Sequence, residues 1–188
     1  MRFCPAPADP INQFAVVCYI PDPLGGFITR LREELVNGCT AQSHVTILPP
    51  RPLSVLPAIA EADLRARSAG FASFSIDIPR LRIFSETSVI FADIGVGREE
   101  LFEMHEALNA GSLAFDEPHV YHPHITLAQG LDAVTVGEVY DFAVRRWKEE
   151  QLQRPVVIEN LTFVRNTSNN QWIDLAQCEL RGALARLF

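Results

Sequence analysis

The chain has 188 residues, 48% of them hydrophobic and 21% charged, which fits one globular core and excludes collagen-like or disordered chains. Its formal net charge of −7 excludes a protein that coats long nucleic acid, which needs clustered Lys and Arg, but leaves room for a small cationic pocket holding one phosphate. No apolar run approaches the roughly 20 residues of a membrane helix, Met1 to Pro10 lacks a signal-peptide core, and Cys4, Cys18, Cys39 and Cys178 form no C-x-x-C pair, so the expectation is a cytoplasmic protein with reduced thiols and no membrane contact.

Phe14 to Ile20 is apolar and predicted as a strand, ended by Pro21-Asp22-Pro23. Leu24, Phe27, Ile28, Leu31 and Leu35 then share one helical face, and Gly38 closes that helix. A strand from His44 should stop at Pro49-Pro50. Ser54 is the expected N-cap of a second helix with the stripe Leu56, Ile59, Ala60 and Leu64, Pro57 falling in its first turn and Gly70 ending it. Phe74, Ile76 and Ile78 alternate with Ser73, Ser75 and Asp77 as a half-buried strand, and Leu81–Phe84 and Ser88–Val96 continue the β region. Arg98 to Asn109 reads as a helix stopped by Gly111, with Leu101, Met104, His105 and Leu108 inward. After a strand from His124, Thr135 and Glu138 fit a capping box for a helix carrying Val136, Val139, Phe142, Ala143 and Trp147. Val156–Arg165 and Gln171–Leu180 are expected to form a hairpin about Asn166–Asn170.

Two of these strands carry the same short pattern. Ser43-His44-Val45-Thr46-Ile47-Leu48 recurs eighty residues later as His124-Ile125-Thr126-Leu127-Ala128, preceded by Tyr121-His122-Pro123. Side chains in a strand alternate faces, so each His-x-Thr presents an imidazole and a hydroxyl together and turns Val45 and Ile47, or Ile125 and Leu127, to the other face. The surrounding order of strand, helix, His strand and helix also recurs, and no Gly- or Ser-rich linker interrupts it, so residues 1–188 read as one domain of two related lobes.

Two imidazoles flanking a phosphate can supply the base and the acid of an in-line displacement, each contributing about 10²–10⁴ in rate. A Thr hydroxyl one pleat away can donate to a non-bridging oxygen where charge accumulates. His44-Val45-Thr46 and His124-Ile125-Thr126, with their hydrophobic strand flanks, resemble the paired motifs of the two-histidine (2H) phosphoesterases, which include the 2′-5′ RNA ligase-like proteins and cyclic phosphodiesterases of RNA processing. The resemblance implies an α+β fold, bilobal and pseudo-twofold, with two antiparallel sheets facing a central cleft and helices outside. It implies cofactor-free, metal-independent hydrolase chemistry on 2′,3′-cyclic phosphates or 2′-5′ linkages, with nucleotides or RNA ends as partners and a monomeric protein. His44, Thr46, His124 and Thr126 are then the catalytic set. The ligase-like branch often has a basic residue just after its second motif; here Gln129 follows Ala128.

Several readings stay open. The same cradle could hold a nucleotide without turning it over. His119, His122 and His124, within six residues, could instead ligate zinc in a metallohydrolase, although Pro123 restricts them. Arg51 either reaches the phosphate or is solvated, and Tyr121 either stacks on a base or packs in the core. Arg80 and Arg82 share a strand face that lines a cleft or faces solvent; His105 is expected to be buried and hydrogen-bonded. Nothing resembles an ATP-binding or dinucleotide-binding glycine loop.

Overall fold

The computed structural model describes residues 8–39, 41–150 and 155–182; Cys4 and most of the Met1-to-Pro10 stretch lie outside them. The elements are β1 (Pro10–Tyr19), α1 (Leu24–Leu35), β2 (His44–Arg51), α2 (Pro57–Ser68), β3 (Phe74–Ile76), β4 (Arg80–Phe84), β5 (Val89–Asp93), α3 (Arg98–Leu108), a 3-10 turn (Gly111–Leu113), β6 (His124–Ala128), α4 (Val136–Glu149), β7 (Val156–Ile158), β8 (Asn160–Thr167) and β9 (Trp172–Glu179). The fold is mixed α+β, and every pairing between these strands is antiparallel.

One sheet has the order β2-β1-β8-β9 and carries the first His-x-Thr strand; another, β4-β5-β6, carries the second. A third sheet is a two-stranded ribbon, β3 with β7, where two were expected. The alternation at 73–78 marks β3 as a strand but cannot reveal a partner eighty residues away, Ile76 lying opposite Val156 and Phe74 opposite Ile158.

Element order repeats as expected: β1-α1-β2-α2 is followed by β5-α3-β6-α4. In both copies the His strand pairs antiparallel with the strand before the helix, β2 with β1 and β6 with β5. Behind the motifs, Val45, Ile47 and Ile125 are fully buried and Leu127 is 1% exposed, all joining one core with Ile28 and Leu31 of α1 and Leu101 and Met104 of α3. Each such side chain stabilises the fold by about 1.5–3 kcal/mol. A one-residue slip would exchange these with His and Thr, so the core fixes which way the motif faces.

Element ends and caps differ from the sequence expectation in several places: β1, for one, begins at Pro10 rather than Phe14, and the stretch 156–165 is divided between β7 and β8 in different sheets. β2 runs through Pro49-Pro50 to Arg51 because it is an edge strand, where a missing N–H breaks no ladder, and bulges restore its register so that Arg51 lies opposite Phe14. α2 begins with Pro57 as its first helical residue after Leu56, with no side-chain cap from Ser54. Before α4, Thr135 makes no cap bond; the Asp132 carboxylate instead accepts from the Thr135 and Val134 N–H groups at 2.8 and 2.9 Å.

Gly25 lets α1 dock against the start of β2. A Cβ there would lie 2.0 Å from the Ile20 carbonyl oxygen. The close approach lets Ser43 Oγ donate to the Gly25 carbonyl at 2.9 Å, and the Ser43 N–H donates to Thr29 Oγ1 at 3.2 Å. The residue before His44 is thereby held on three sides, since its own carbonyl accepts from the Ile20 N–H at 3.0 Å.

Candidate active site

β2 and β6 pack against each other, and each opens with its histidine. Along both strands burial follows one pattern: His and Thr partly exposed, the residue between them buried, two more buried residues after. The period-two reading of His-x-Thr therefore matches the packing. Across β1, Tyr19 lies opposite His44 and Val17 opposite Thr46; across β5, Asp93 lies opposite His124 and Phe91 opposite Thr126.

Both imidazoles are held the same way. His44 Nδ1 lies 2.7 Å from the Gln42 carbonyl oxygen, and His124 Nδ1 lies 2.6 Å from that of His122. A carbonyl only accepts, so Nδ1 carries the hydrogen in both rings and the neutral tautomer leaves Nε2 with its lone pair. The ring of His44 meets Tyr19 edge-on at 6.3 Å; that of His124 is flanked by Phe84 and Phe91 at 5.1 and 5.4 Å. No sequence pattern announces these carbonyl bonds, because each joins a ring to the backbone of the residue two places before it.

Burial pulls both histidines below their ordinary value. For His44 the Gln42 carbonyl opposes that shift, while the charges of Arg32 and His124 deepen it. For His124 the His122 carbonyl opposes it, the charge of His122 deepens it, and Asp93 favours the proton.

Arg32, on α1, is 6% exposed, and its Nε and Nη1 are buried without a hydrogen-bond partner. Buried guanidinium nitrogens without an acceptor are uncommon, because the desolvated donors lose their water without compensation. The apolar stripe of α1 leaves Arg32 on the charged side of the helix with Arg30, Glu33 and Glu34, so its burial runs against the sequence pattern.

Arg51 does not stand open to a phosphate. It is 2% exposed; Nε donates to the Pro49 carbonyl at 2.9 Å, Nη1 to Asn109 Oδ1 at 2.7 Å and the Leu113 carbonyl at 2.8 Å, and Nη2 to Glu117. Neither reaching a phosphate nor solvated, the side chain clamps the end of β2 to the loop after α3. Tyr121 is likewise engaged: its ring stacks on His105 at 3.9 Å and its hydroxyl donates to the Thr46 carbonyl at 2.9 Å. It joins the two motifs rather than offering an open face to a base. His105 is buried as expected, with Nδ1 donating to the Ile47 carbonyl at 2.8 Å.

The three histidines before and within the second motif do not converge. His119 is exposed, and the rings of His122 and His124 are 6.1 Å apart. Among the described residues no three His, Cys, Asp or Glu side chains are gathered to hold a metal ion. No helix among them is long and apolar enough to cross a membrane.

Residues 20–170 match the sequence profile of the 2′-5′ RNA ligase superfamily. Comparison with curated proteins gives no match. Among solved structures, E. coli LigT in complex with 3′-AMP superposes with a TM-score of 0.61 at 16% identity, covering 90% of this chain and 98% of LigT. LigT in complex with phosphate gives 0.59 at 15% identity, covering 92% and 99%. A crystal structure described as a phosphoesterase gives 0.58 at 14% identity, again covering 92% and 99%. At these identities the likeness is one of fold.

Proposed function

The chain belongs to the 2′-5′ RNA ligase superfamily, and on that premise we propose that it is a metal-independent phosphodiesterase acting on 2′,3′-cyclic phosphates or 2′-5′ linkages of nucleotides or RNA ends. The observation that carries this reading is the matched pair of imidazoles, each with Nδ1 donating to the carbonyl two residues earlier and Nε2 left for proton transfer. The protein acts as a cytoplasmic monomer, with one substrate phosphate between the two His-x-Thr strands.

In hydrolysis of a cyclic phosphate, His44 Nε2 takes a proton from water as its oxygen bonds to phosphorus. The bond from phosphorus to one ribose oxygen breaks, and His124 Nε2–H delivers its proton to that oxygen. The product is a phosphomonoester, and proton exchange with solvent resets both rings. His44 is assigned as the base because Arg32 opposes its protonation, and His124, its counterpart, as the acid, the Asp93 carboxylate offsetting part of the His122 charge that opposes its proton. Thr46 and Thr126 donate to the non-bridging oxygens as charge builds. An anion beside His44 would also give the orphaned Arg32 donors their missing acceptor.

The test is a panel of nucleoside 2′,3′-cyclic phosphates, 2′-5′ oligonucleotides and cyclic-phosphate-ended RNA, assayed with EDTA present. Turnover in EDTA is expected. Binding without turnover would make the protein a nucleotide-binding module; activity lost to EDTA and restored by zinc would return the chemistry to His119, His122 and His124.

A further inference from the structure

Asp93 holds together three arginines that the proposed chemistry does not use. It is 3% exposed, and around it lie Arg80 Nε at 3.2 Å, Arg98 Nη1 at 3.4 Å, Arg82 Nη1 at 3.6 Å and His122 Nε2 at 3.6 Å. Arg98 Nη2 also donates to His122 Nδ1 at 3.3 Å, which puts the ring hydrogen on the Nε2 that faces Asp93. Burial raises the Asp93 carboxyl, but the Arg80 hydrogen bond and the charges of Arg82, Arg80 and His122 more than offset it and hold it below the ordinary range.

Three guanidiniums around one carboxylate leave the cluster positive, in a chain whose net charge is −7. Strand register puts that charge on the candidate active-site face. Arg80 lies opposite Asp93, which lies opposite His124; Arg82 lies opposite Phe91, which lies opposite Thr126. Directly opposed residues of antiparallel strands share a face. Arg80 and Arg82 are therefore coplanar with His124 and Thr126, two strand spacings or about 10 Å away.

The side chains of Arg80 and Arg82 remain 66% and 50% exposed, and each touches Asp93 through a single nitrogen. Most of their N–H groups are open to a ligand while the buried carboxylate fixes where they point. Fork-shaped donors held in this way suit a phosphate oxygen pair. Their distance from β6 suits a second phosphate better than the one between the histidines.

We infer that Arg80 and Arg82, ordered by Asp93, form a subsite for a second phosphate of the same substrate. This makes the preferred substrate an oligonucleotide end or a nucleotide bearing a further phosphate, rather than a bare mononucleoside cyclic phosphate. The inference rests on the proposed phosphodiesterase reading and names its substrate class.

The experiment compares binding of 3′-AMP and adenosine 3′,5′-bisphosphate by calorimetry to the full chain and to its Arg82→Gln and Arg80→Gln variants. Either substitution leaves Asp93 two arginine partners, and circular dichroism checks the fold. The bisphosphate is expected to bind about tenfold more tightly than the monophosphate. Each variant should lose most of that advantage, with a smaller effect on 3′-AMP. Equal affinity for the two ligands, or an advantage that survives both substitutions, would overturn the subsite while leaving the phosphodiesterase reading standing. Failure of both ligands to bind would overturn the two together.

Discussion

The Tyr121 hydroxyl donates a 2.9 Å hydrogen bond to the backbone carbonyl of Thr46, so a residue leading into one His-x-Thr strand is fastened to the hydroxyl-bearing residue of the other. The neighbouring carbonyl, that of Ile47, accepts from His105, and the rings of His105 and Tyr121 lie parallel within 2°. A stacked pair thus spaces β2 from the segment entering β6.

Tyr121→Phe keeps the stack and deletes the fastening. Losing one hydrogen bond and stranding its carbonyl costs about 1 kcal/mol, or about 2–4 °C in Tm for a chain of this size. Because small misplacements of reacting groups are costly, kcat should fall by about 3–10-fold with KM changing less. Thermal melts and steady-state kinetics on the same samples check this; a wild-type kcat alongside the lower Tm would show that the bond serves stability only.

The pH profile should be a bell displaced to the acid side. Burial lowers both histidines from the ordinary 6.5, so the maximum of kcat/KM, which reports the free protein, is expected below pH 6.5. A base fails when it gains a proton, so His44→Ala should abolish the low-pH limb; an acid fails when it loses one, so His124→Ala should abolish the high-pH limb. Each variant should lose about 10²–10⁴ in rate. Arg32→Gln removes a charge that resists protonation of His44 and should move the low-pH limb upward. The reverse pairing of variants and limbs would exchange the roles of the two histidines.

Arg51 bears on stability. Arg51→Ala leaves Glu117, whose side chain is 9% exposed, as a buried charge without its partner, and is expected to cost about 3–5 kcal/mol. Arg51→Met combined with Glu117→Gln should recover part of that loss. Chemical denaturation gives the stabilities, and KM measured below the melting transition should change less than twofold. A large KM increase in a normally stable Arg51→Ala protein would restore the substrate-contact role.

Thr46→Val and Thr126→Val keep the β-branched shape in the strand and remove one donor each. Both are expected to lower kcat by about 10–10³, leaving the bell in place and Tm within a few degrees. Loss of a limb in either variant would instead show that the hydroxyl takes part in proton transfer.

Much of this protein is legible in its sequence because local pattern and packing agree. Alternation in the two His-x-Thr strands fixes which side chains face the core, since reversing them would bury two imidazoles and expose Val45, Ile47, Ile125 and Leu127. The stripes of α1 and α3 and the closing hairpin follow from the same periodicity. Partners distant in sequence were decided by the tertiary structure. Arg51 reads as a cation beside the motif until Asn109, Leu113 and Glu117 fold around it. Arg80 and Arg82 read as a strand face, and only the pairing of β4 with β5 and β5 with β6 sets them in line with His124 and Thr126 around a buried Asp93. The orientation of each imidazole is likewise set by one backbone carbonyl in the segment before its strand. Residue type and period choose a face, whereas a hydrogen-bond partner is chosen by whichever group the folded chain brings within reach.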